Sequence, residues 1–455
     1  MLKMNKLKNE LDDIIQKKLN FSKLTYEINT TVEKPANAHQ FPNQDFSFKK
    51  IDIVCKKAKF DSFTKLNNEI KELCKDIEQL NGTYLVSFLF EQCNIKFWNE
   101  NINLDSHINF VECEINVNVQ DVNLDEIYLL FRNFHNCKFE NLSLLSNVKT
   151  LHIDLHQTSI NLMQLVKIEI LDNEINKIEI KNSNINKIMI KEAIFKRDFT
   201  IYETTIDTIK IENVDFESLS EFNEVTFQSK FDFKEITYNG LTLFDRCVFN
   251  TKADFEYIIF EKFTSFRGTT FNKGLNLDFT NAEKEINFFW IKGLKNNESI
   301  ENTSQETYRI IKYNLEKIGN KIESNKYHAL ELDQKRRELE KKIWNNKKDY
   351  LVFKLHSWSS EHSTNWFLAL LWIFVVGFLT VLFLHIDIAK DLFFHPNHFK
   401  IEYIGKIFNQ FFKFIYIGNM DDILKNNSLI YLLNKVLLGY LYYQFLISVR
   451  KDTRK

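Results

Sequence analysis

Residue types able to do chemistry are present in this chain, but their spacing assembles few of them. The six cysteines, Cys55, Cys74, Cys93, Cys113, Cys137 and Cys247, contain no Cys-x-x-Cys pair that would grip zinc or exchange a disulfide, and they read as reduced thiols. The nearest approach to a metal set is His385, Asp387, Asp391, His395 and His398, whose spacing matches no ligand pattern and reads as a solvated loop. No Gly-rich phosphate loop, His-Glu-x-x-His helix or Gly-x-Ser-x-Gly turn occurs. The sequence therefore predicts no catalytic residue, metal or cofactor, and a non-enzymatic role. The sharpest polar signal is the set Asn434, Lys435 and Gln444, which interrupts an apolar C-terminal run. Such groups inside a membrane are candidates to line a pore, although a lysine two turns from the outer end of a span can also reach the interface.

Composition narrows the frame in which those residues sit. Lys and Arg number 60 against 61 Asp and Glu, so a partner held mainly by charge, such as nucleic acid, is not expected. Only 3 Pro among 455 residues, with 44% apolar side chains, excludes collagen-like and wholly disordered chains. The first residues, Met1-Leu-Lys-Met-Asn-Lys, carry charge and lack the apolar run of a secretory signal, so the bulk of the chain is expected to stay where it is made.

The element that organises the middle of the chain is a ladder of apolar residues five or six apart. It runs Leu155, Ile160, Leu165, Ile170, Ile175, Ile180, Ile185, Ile190, Phe195, Ile201, Ile206, Ile211 and Phe216. It continues through Phe222, Phe227, Phe233, Tyr238, Phe244, Phe249, Phe255, Phe260, Phe266, Phe271 and Leu277. At a 44% apolar content, an unbroken series of this length has a chance on the order of 10⁻⁹ in a fixed phase. The position two before each rung is small or apolar, as in Ile153, Ser183, Ala193, Val225 and Ala253, and the position after it is mostly polar. Neither the 3.6-residue helical period nor the two-residue strand period gives this step. A chain turning a corner at each step does, and about four steps close a coil that stacks on the next at about 4.8 Å.

On these residues the sequence resembles the pentapeptide-repeat proteins. The resemblance implies a right-handed quadrilateral β-helix with a large central side chain and a small residue two before it, here in a Phe-rich variant. It is strongest over Leu155–Leu277 and persists in fragments back to about Leu85, through Phe90, Ile95, Phe110, Ile115, Phe134 and Phe139. Cys93, Cys113, Cys137 and Cys247 fall two before a rung and become small core residues. Ile185, Phe222, Phe233, Phe244, Phe255 and Phe266 represent the core rungs, and Glu212, Asp245 and Arg267 the outward positions that could touch a partner. Between Ile201 and Trp290 acidic residues number 16 against 9 basic ones. Some soluble family members resemble duplex DNA in shape and charge, but the outward Lys and Arg dilute that pattern, and the acidic surplus reads as a solubility device.

After the ladder, Ser304 can cap a long amphipathic helix with a seam at Ile311, Leu315, Ile318, Ile322, Asn325, Ala329, Leu332, Arg336, Leu339 and Ile343. The seam pairs either with a second copy or along the β-helix, and Asn325, Arg336 and Gly319 favour the latter. The stretch from Glu306 resembles the connector that joins pentapeptide repeats to membrane segments in some bacterial proteins. Trp366–Ile386 has no charged residue and the length of a membrane span, and Ser428–Val449 is a second candidate. Lys and Arg flank the pair on the outside of both spans, placing both termini and the β-helix in the cytoplasm by the positive-inside rule. Between the spans, 400–418 is amphipathic: two spans around such a segment resemble the two-helix pore unit of cation channels, but a helix lying in the outer interface needs no pore and is the favoured reading.

The expected architecture is a mainly β chain. Residues 1–80 form a mixed or helical N-terminal cap, 81–290 the β-helix, 300–345 the helical connector, and 366–449 the transmembrane hairpin, with spans 366–386 and 428–449. The leading functional expectation is a multi-pass inner-membrane protein whose cytoplasmic β-helix is a protein-interaction scaffold. Its expected partners are the lipid bilayer, an unidentified protein and possible further copies of the chain. The alternative is a subunit of an oligomeric ion channel or channel-like sensor regulated by the β-helix.

Overall fold

The computed structural model describes residues 26–33, 48–60, 63, 70, 84–99, 101–104, 108–120, 122, 124–130, 132–146, 148–170, 176–341, 347–384, 401–416 and 428–453. They fall into two compact units, Met1–Thr303 and Ser304–Lys455. The expected helix near Leu11, most of the one from Phe63 to Leu80, Cys74, Ile175 and the His385–His398 group lie outside the described residues.

The first unit is a parallel β-solenoid, and the ladder is its interior. Every rung with an assigned exposure, from Leu155 to Leu277, is at most 2% exposed. The rungs stack in register as columns. One runs Ile95, Ile115, Phe139, Ile160, Ile185, Ile206, Phe227, Phe249 and Phe271. Others run Leu155, Ile180, Ile201, Phe222, Phe244; Leu165, Ile190, Ile211, Phe233; and Phe195, Phe216, Tyr238, Phe260. Four steps separate Phe222 from Phe244, so a turn there has four sides. The column from Ile160 to Ile185 takes five steps, and 171–175 within it lie outside the described residues. Where the columns become aromatic the rings lie nearly flat on one another: Phe222 and Phe244 are 4.8 Å apart at 2°, and Phe216 and Tyr238 5.0 Å apart at 7°. The ladder runs two steps, half a turn, past Leu277 and within the expected 81–290 bounds: Phe288 stacks on Phe266 at 5.7 Å.

The corners have a backbone cause. Two residues after every second rung the chain enters the left-handed region, with φ 46° at Glu203, 57° at Glu224, 54° at Arg246 and 71° at Gly268 along one edge. Asn213, Glu235, Tyr257 and Phe279 do the same on another edge, at φ 54°, 52°, 59° and 57°. L-residues avoid this region, so something must hold them there. The Glu203 N–H donates to Asn223 O of the next turn at 2.9 Å, and the Arg246 N–H to Arg267 O at 2.8 Å. The inter-turn ladder thus fixes the corner.

Both ends of the solenoid are finished locally. The reading gives no strand before residue 81, yet Phe48–Lys56, with Ile51, Ile53 and Cys55 alternating, pairs in parallel with Tyr84–Glu91. The strand Tyr26–Glu33 then adds antiparallel to it, which breaks the parallel edge that invites association. At the other end helix α1 (Asn297–Asn302) brings the Ser299 hydroxyl to Phe271 O and Asn272 O at 3.3 and 3.0 Å, and the Leu275 N–H donates to Thr303 Oγ1 at 3.1 Å.

The second unit is helical: α2 (Gln305–Lys317), α3 (Lys321–Lys341), α4 (Lys347–Ser360), α5 (Trp366–Leu384), α6 (Ile401–Ile415) and α7 (Ser428–Thr453). Ser304 caps α2 as expected, accepting the Thr307 N–H at 3.0 Å. The single long helix with its ten-residue seam is corrected: Gly319, at φ 81°, ends α2 and the chain folds back as α3. Ile318 and Ile322, central to that seam, are 49% and 42% exposed. Instead Glu331 on α3 receives Arg309 and Lys312 of α2 at 3.0 and 2.9 Å. Helices α5 and α7, which are long and apolar enough to cross a membrane, pack through Ile373, Leu438 and Leu441. Helix α6 fits against Gly377 of α5, where an added Cβ would lie 2.4 Å from Ile415 Cγ2.

Candidate functional site in the helical unit

Polar side chains inside the helical unit converge on the junction of α4, α5 and α7. Helix α4 ends at Ser360, and Glu361, His362 and Ser363 follow with φ 47°, 59° and 62°. Three consecutive left-handed residues need local support, which the hydroxyl-rich stretch supplies. The Ser363 N–H donates to Ser360 Oγ at 3.0 Å, the Asn365 N–H to Ser360 O at 3.0 Å, and Asn365 Oδ1 caps α5 by accepting the Leu368 N–H at 2.9 Å.

That turn aims its side chains inward at Gln444 of α7. Gln444 is 3% exposed, and its Oε1 accepts from Ser360 Oγ at 2.9 Å and from Ser363 Oγ at 2.7 Å. Because the Ser363 hydrogen goes to Gln444, the 2.9 Å contact between His356 Nε2 and Ser363 Oγ has histidine as donor. His356 Nδ1 is then the acceptor that faces His362 Nδ1 at 3.3 Å. His362 Nε2 is left buried without a hydrogen-bond partner. Burial first, and His356 second, hold the His362 imidazole down at about 4, and burial first and Lys451 second lower His356 as well. Both rings are therefore neutral near pH 7. A serine beside a histidine is the pairing of a nucleophile and its base, but here the hydroxyl proton points away from the ring. The arrangement ties α4 to α7 and holds a neutral histidine pair at their junction.

The three sequence-predicted polar residues of the second span each bridge helices. Asn434, 3% exposed, donates through Nδ2 to Thr380 Oγ1 of α5 at 2.9 Å, and its Oδ1 has no hydrogen-bond partner. Lys435 donates from Nζ to Tyr416 O at 2.6 Å, and the Tyr442 hydroxyl donates to Ile415 O at 3.0 Å. These two satisfy carbonyls at the C-terminal end of α6, where a helix has none of its own donors left and favours a cation. The structure does not bring Asn434, Lys435 and Gln444 to one lining. It spreads them along α7 to α5, α6 and the 360–363 turn respectively. His356, His362, Ser360 and Ser363 are absent from the sequence reading, and only the polar run Ser359-Ser-Glu-His-Ser-Thr-Asn365 before the span could have signalled them.

In the solenoid, Ile185, Phe222, Phe233, Phe244, Phe255 and Phe266 are core, as read. Of the outward candidates, Glu212 pairs with Lys210 at 2.8 Å, Asp245 accepts from the Ser265 hydroxyl at 2.5 Å, and Arg267 lies 5.7 Å over the Phe289 ring. One donor set was not anticipated: Asp154, His156 and Glu179, on neighbouring strands, offer ligand atoms within 4.8 Å of one another. His152-Ile-Asp154-Leu-His156 alternates along one strand face, which is its sequence signal. Glu179, however, is gripped by Lys177 at 2.5 Å and by Lys181, so a cation there would have to displace an ammonium. No protein-family model, curated protein or solved structure matches the chain.

Proposed function

We propose that this chain is a membrane-anchored scaffold of the pentapeptide-repeat type, in which the solenoid offers a rigid charged surface to a protein partner and the α5–α7 hairpin fixes it in the bilayer. The solenoid and both termini lie on the cytoplasmic side of an inner membrane, and the protein is not an enzyme. The observation that carries the reading is how the two units treat apolar side chains. The solenoid buries its rungs, whereas α5 and α7 turn Phe383, Leu429 and Leu446 outward at 67%, 69% and 64% exposure. A helix pair bathed in water would hide such residues, and one bathed in lipid has no reason to. The polar groups of α7 are engaged between helices, which favours an anchor over a pore within one chain. Recovery of a protein from solubilised membranes that is lost on charge reversal at Glu212 or Arg267 is the expected result. Recovery of the same proteins irrespective of those residues would defeat the scaffold reading, and ion flux in proteoliposomes abolished by Lys435→Ala would put the channel in its place.

A further inference from the structure

Two depressions on the helical unit share one residue, Leu371, and differ in character. The first, about 620 Å³, is lined only by apolar side chains of α5 and α6, among them Phe367, Phe374, Phe378 and Phe411. The second, about 500 Å³, is lined by Arg336, Lys354, Trp358, Glu361 and Trp372, with Leu368 and Leu371 where it meets α5. A polar mouth thus adjoins an apolar trough across Leu371 at the first turns of a span, the level at which head groups meet acyl chains. Tryptophan marks the boundary: Trp372 Nε1 donates to Trp358 O at 3.0 Å, and the two indoles lie 4.6 Å apart.

The charges of the mouth narrow the occupant. Arg336 is already shared between Asp333 at 2.9 Å and Glu340 at 3.1 Å. Lys354 has the Tyr350 hydroxyl at 3.0 Å and the Tyr350 ring at 5.3 Å, and Glu340 reaches it only through that hydroxyl, which donates to Glu340 Oε1 at 3.3 Å, so Lys354 makes no direct ion pair among the described residues. Glu361 stands exposed on the left-handed turn. The mouth therefore presents, in one lining, an ammonium without a direct ion-pair partner and, seven residues further along the chain, the Glu361 carboxylate, next to a trough that takes a hydrocarbon chain. We propose that this paired mouth and trough hold one glycerophospholipid with a primary-ammonium head group, its phosphodiester on Lys354, its ammonium on Glu361 and an acyl chain along the α5–α6 trough. A quaternary ammonium has no N–H to give the carboxylate, and a purely anionic head group leaves the carboxylate opposed to a like charge.

The inference rests on the membrane reading, and the experiment separates the two. The full chain, purified in mild detergent, is incubated with equimolar phosphatidylethanolamine, phosphatidylcholine and phosphatidylglycerol, and retained lipid is read by native mass spectrometry. The expected result is phosphatidylethanolamine retained over phosphatidylcholine by on the order of 10-fold, the ratio that one charge-assisted hydrogen bond supports. Glu361→Gln should erase that preference, and Lys354→Gln should weaken retention of all three. Both residues are exposed, so neither change threatens the fold. Excess soluble phosphoethanolamine should fail to compete, because it lacks the chain that fills the trough. Equal retention of phosphatidylethanolamine and phosphatidylcholine, preference for phosphatidylglycerol, or full competition by the soluble head group would each overturn the inference. Release of the chain from membranes by alkaline carbonate would instead defeat the membrane reading itself.

Discussion

Phe244 in the solenoid and Gln444 in the helical unit are both buried, yet they hold their surroundings by opposite means. Phe244 lies flat between Phe222 and Phe266, at 4.8 and 5.4 Å, and asks its neighbours for nothing but contact. Gln444 is held by the hydroxyls of Ser360 and Ser363, more than 80 residues away in the chain, and each of those groups depends on it. A repeated coil can place its backbone hydrogen bonds between turns and leave an interior of apolar columns, so stability grows turn by turn. Helices facing lipid gain nothing from burying apolar surface, because the solvent is apolar too, and they must find specificity in close packing and a few polar links.

The comparison breaks first at a column. Phe244→Ala removes one ring from a stack whose neighbours cannot collapse into the gap, and is expected to cost about 3–5 kcal/mol. Chemical denaturation should show the solenoid transition moving by that amount while the helical unit's transition stays put. Next in size is Gln444→Leu, which leaves the Ser360 and Ser363 hydroxyls without their acceptor. About 1–2 kcal/mol is expected from the helical unit alone, read as a lower thermal midpoint in detergent with the solenoid transition unmoved.

A pH titration sharpens the contrast further. His362 has its folded value lowered from 6.5 to about 4, so the unfolded chain takes up the proton first as the medium is acidified. The stability that the neutral ring contributes is complete above pH 6.5 and is lost as the pH falls through about 4. The helical unit's melting midpoint should drop over that window more steeply in the wild type than in His362→Gln. The smallest effect has the opposite sign: Tyr257→Gly removes a side chain from a left-handed corner at φ 59°, and should relieve about 0.5–1 kcal/mol, offset in part by the lost stack on Phe279.

The same contrast explains what could be read from the sequence. A solenoid repeats its environment, so each rung from Leu155 to Leu277 is the same physical demand stated again, and the period survives irregular steps. The cysteines two before a rung follow from it, and Cys93, Cys113, Cys137 and Cys247 are all at most 1% exposed. The corners were harder to see, since Glu, Arg and Tyr at left-handed positions go against propensity and are fixed by the neighbouring turn rather than by their own type. The break at Gly319 overrode a heptad seam that the apolar positions alone supported. The junction at Gln444 repeats nothing: its members come from a turn and from a helix far along the chain, and no spacing rule joins His356 to Ser363 or Asn434 to Thr380.

The claim on which the functional reading stands is that α5 and α7 sit in lipid while the solenoid stays in water. The direct measurement is alkaline carbonate extraction of membranes bearing the full chain, combined with protease protection in sealed inside-out vesicles. The expected result is a chain that remains in the pellet, with the solenoid cleaved from the exposed cytoplasmic face and a protected helical fragment containing Trp366–Leu384. A chain released intact into the supernatant would contradict it.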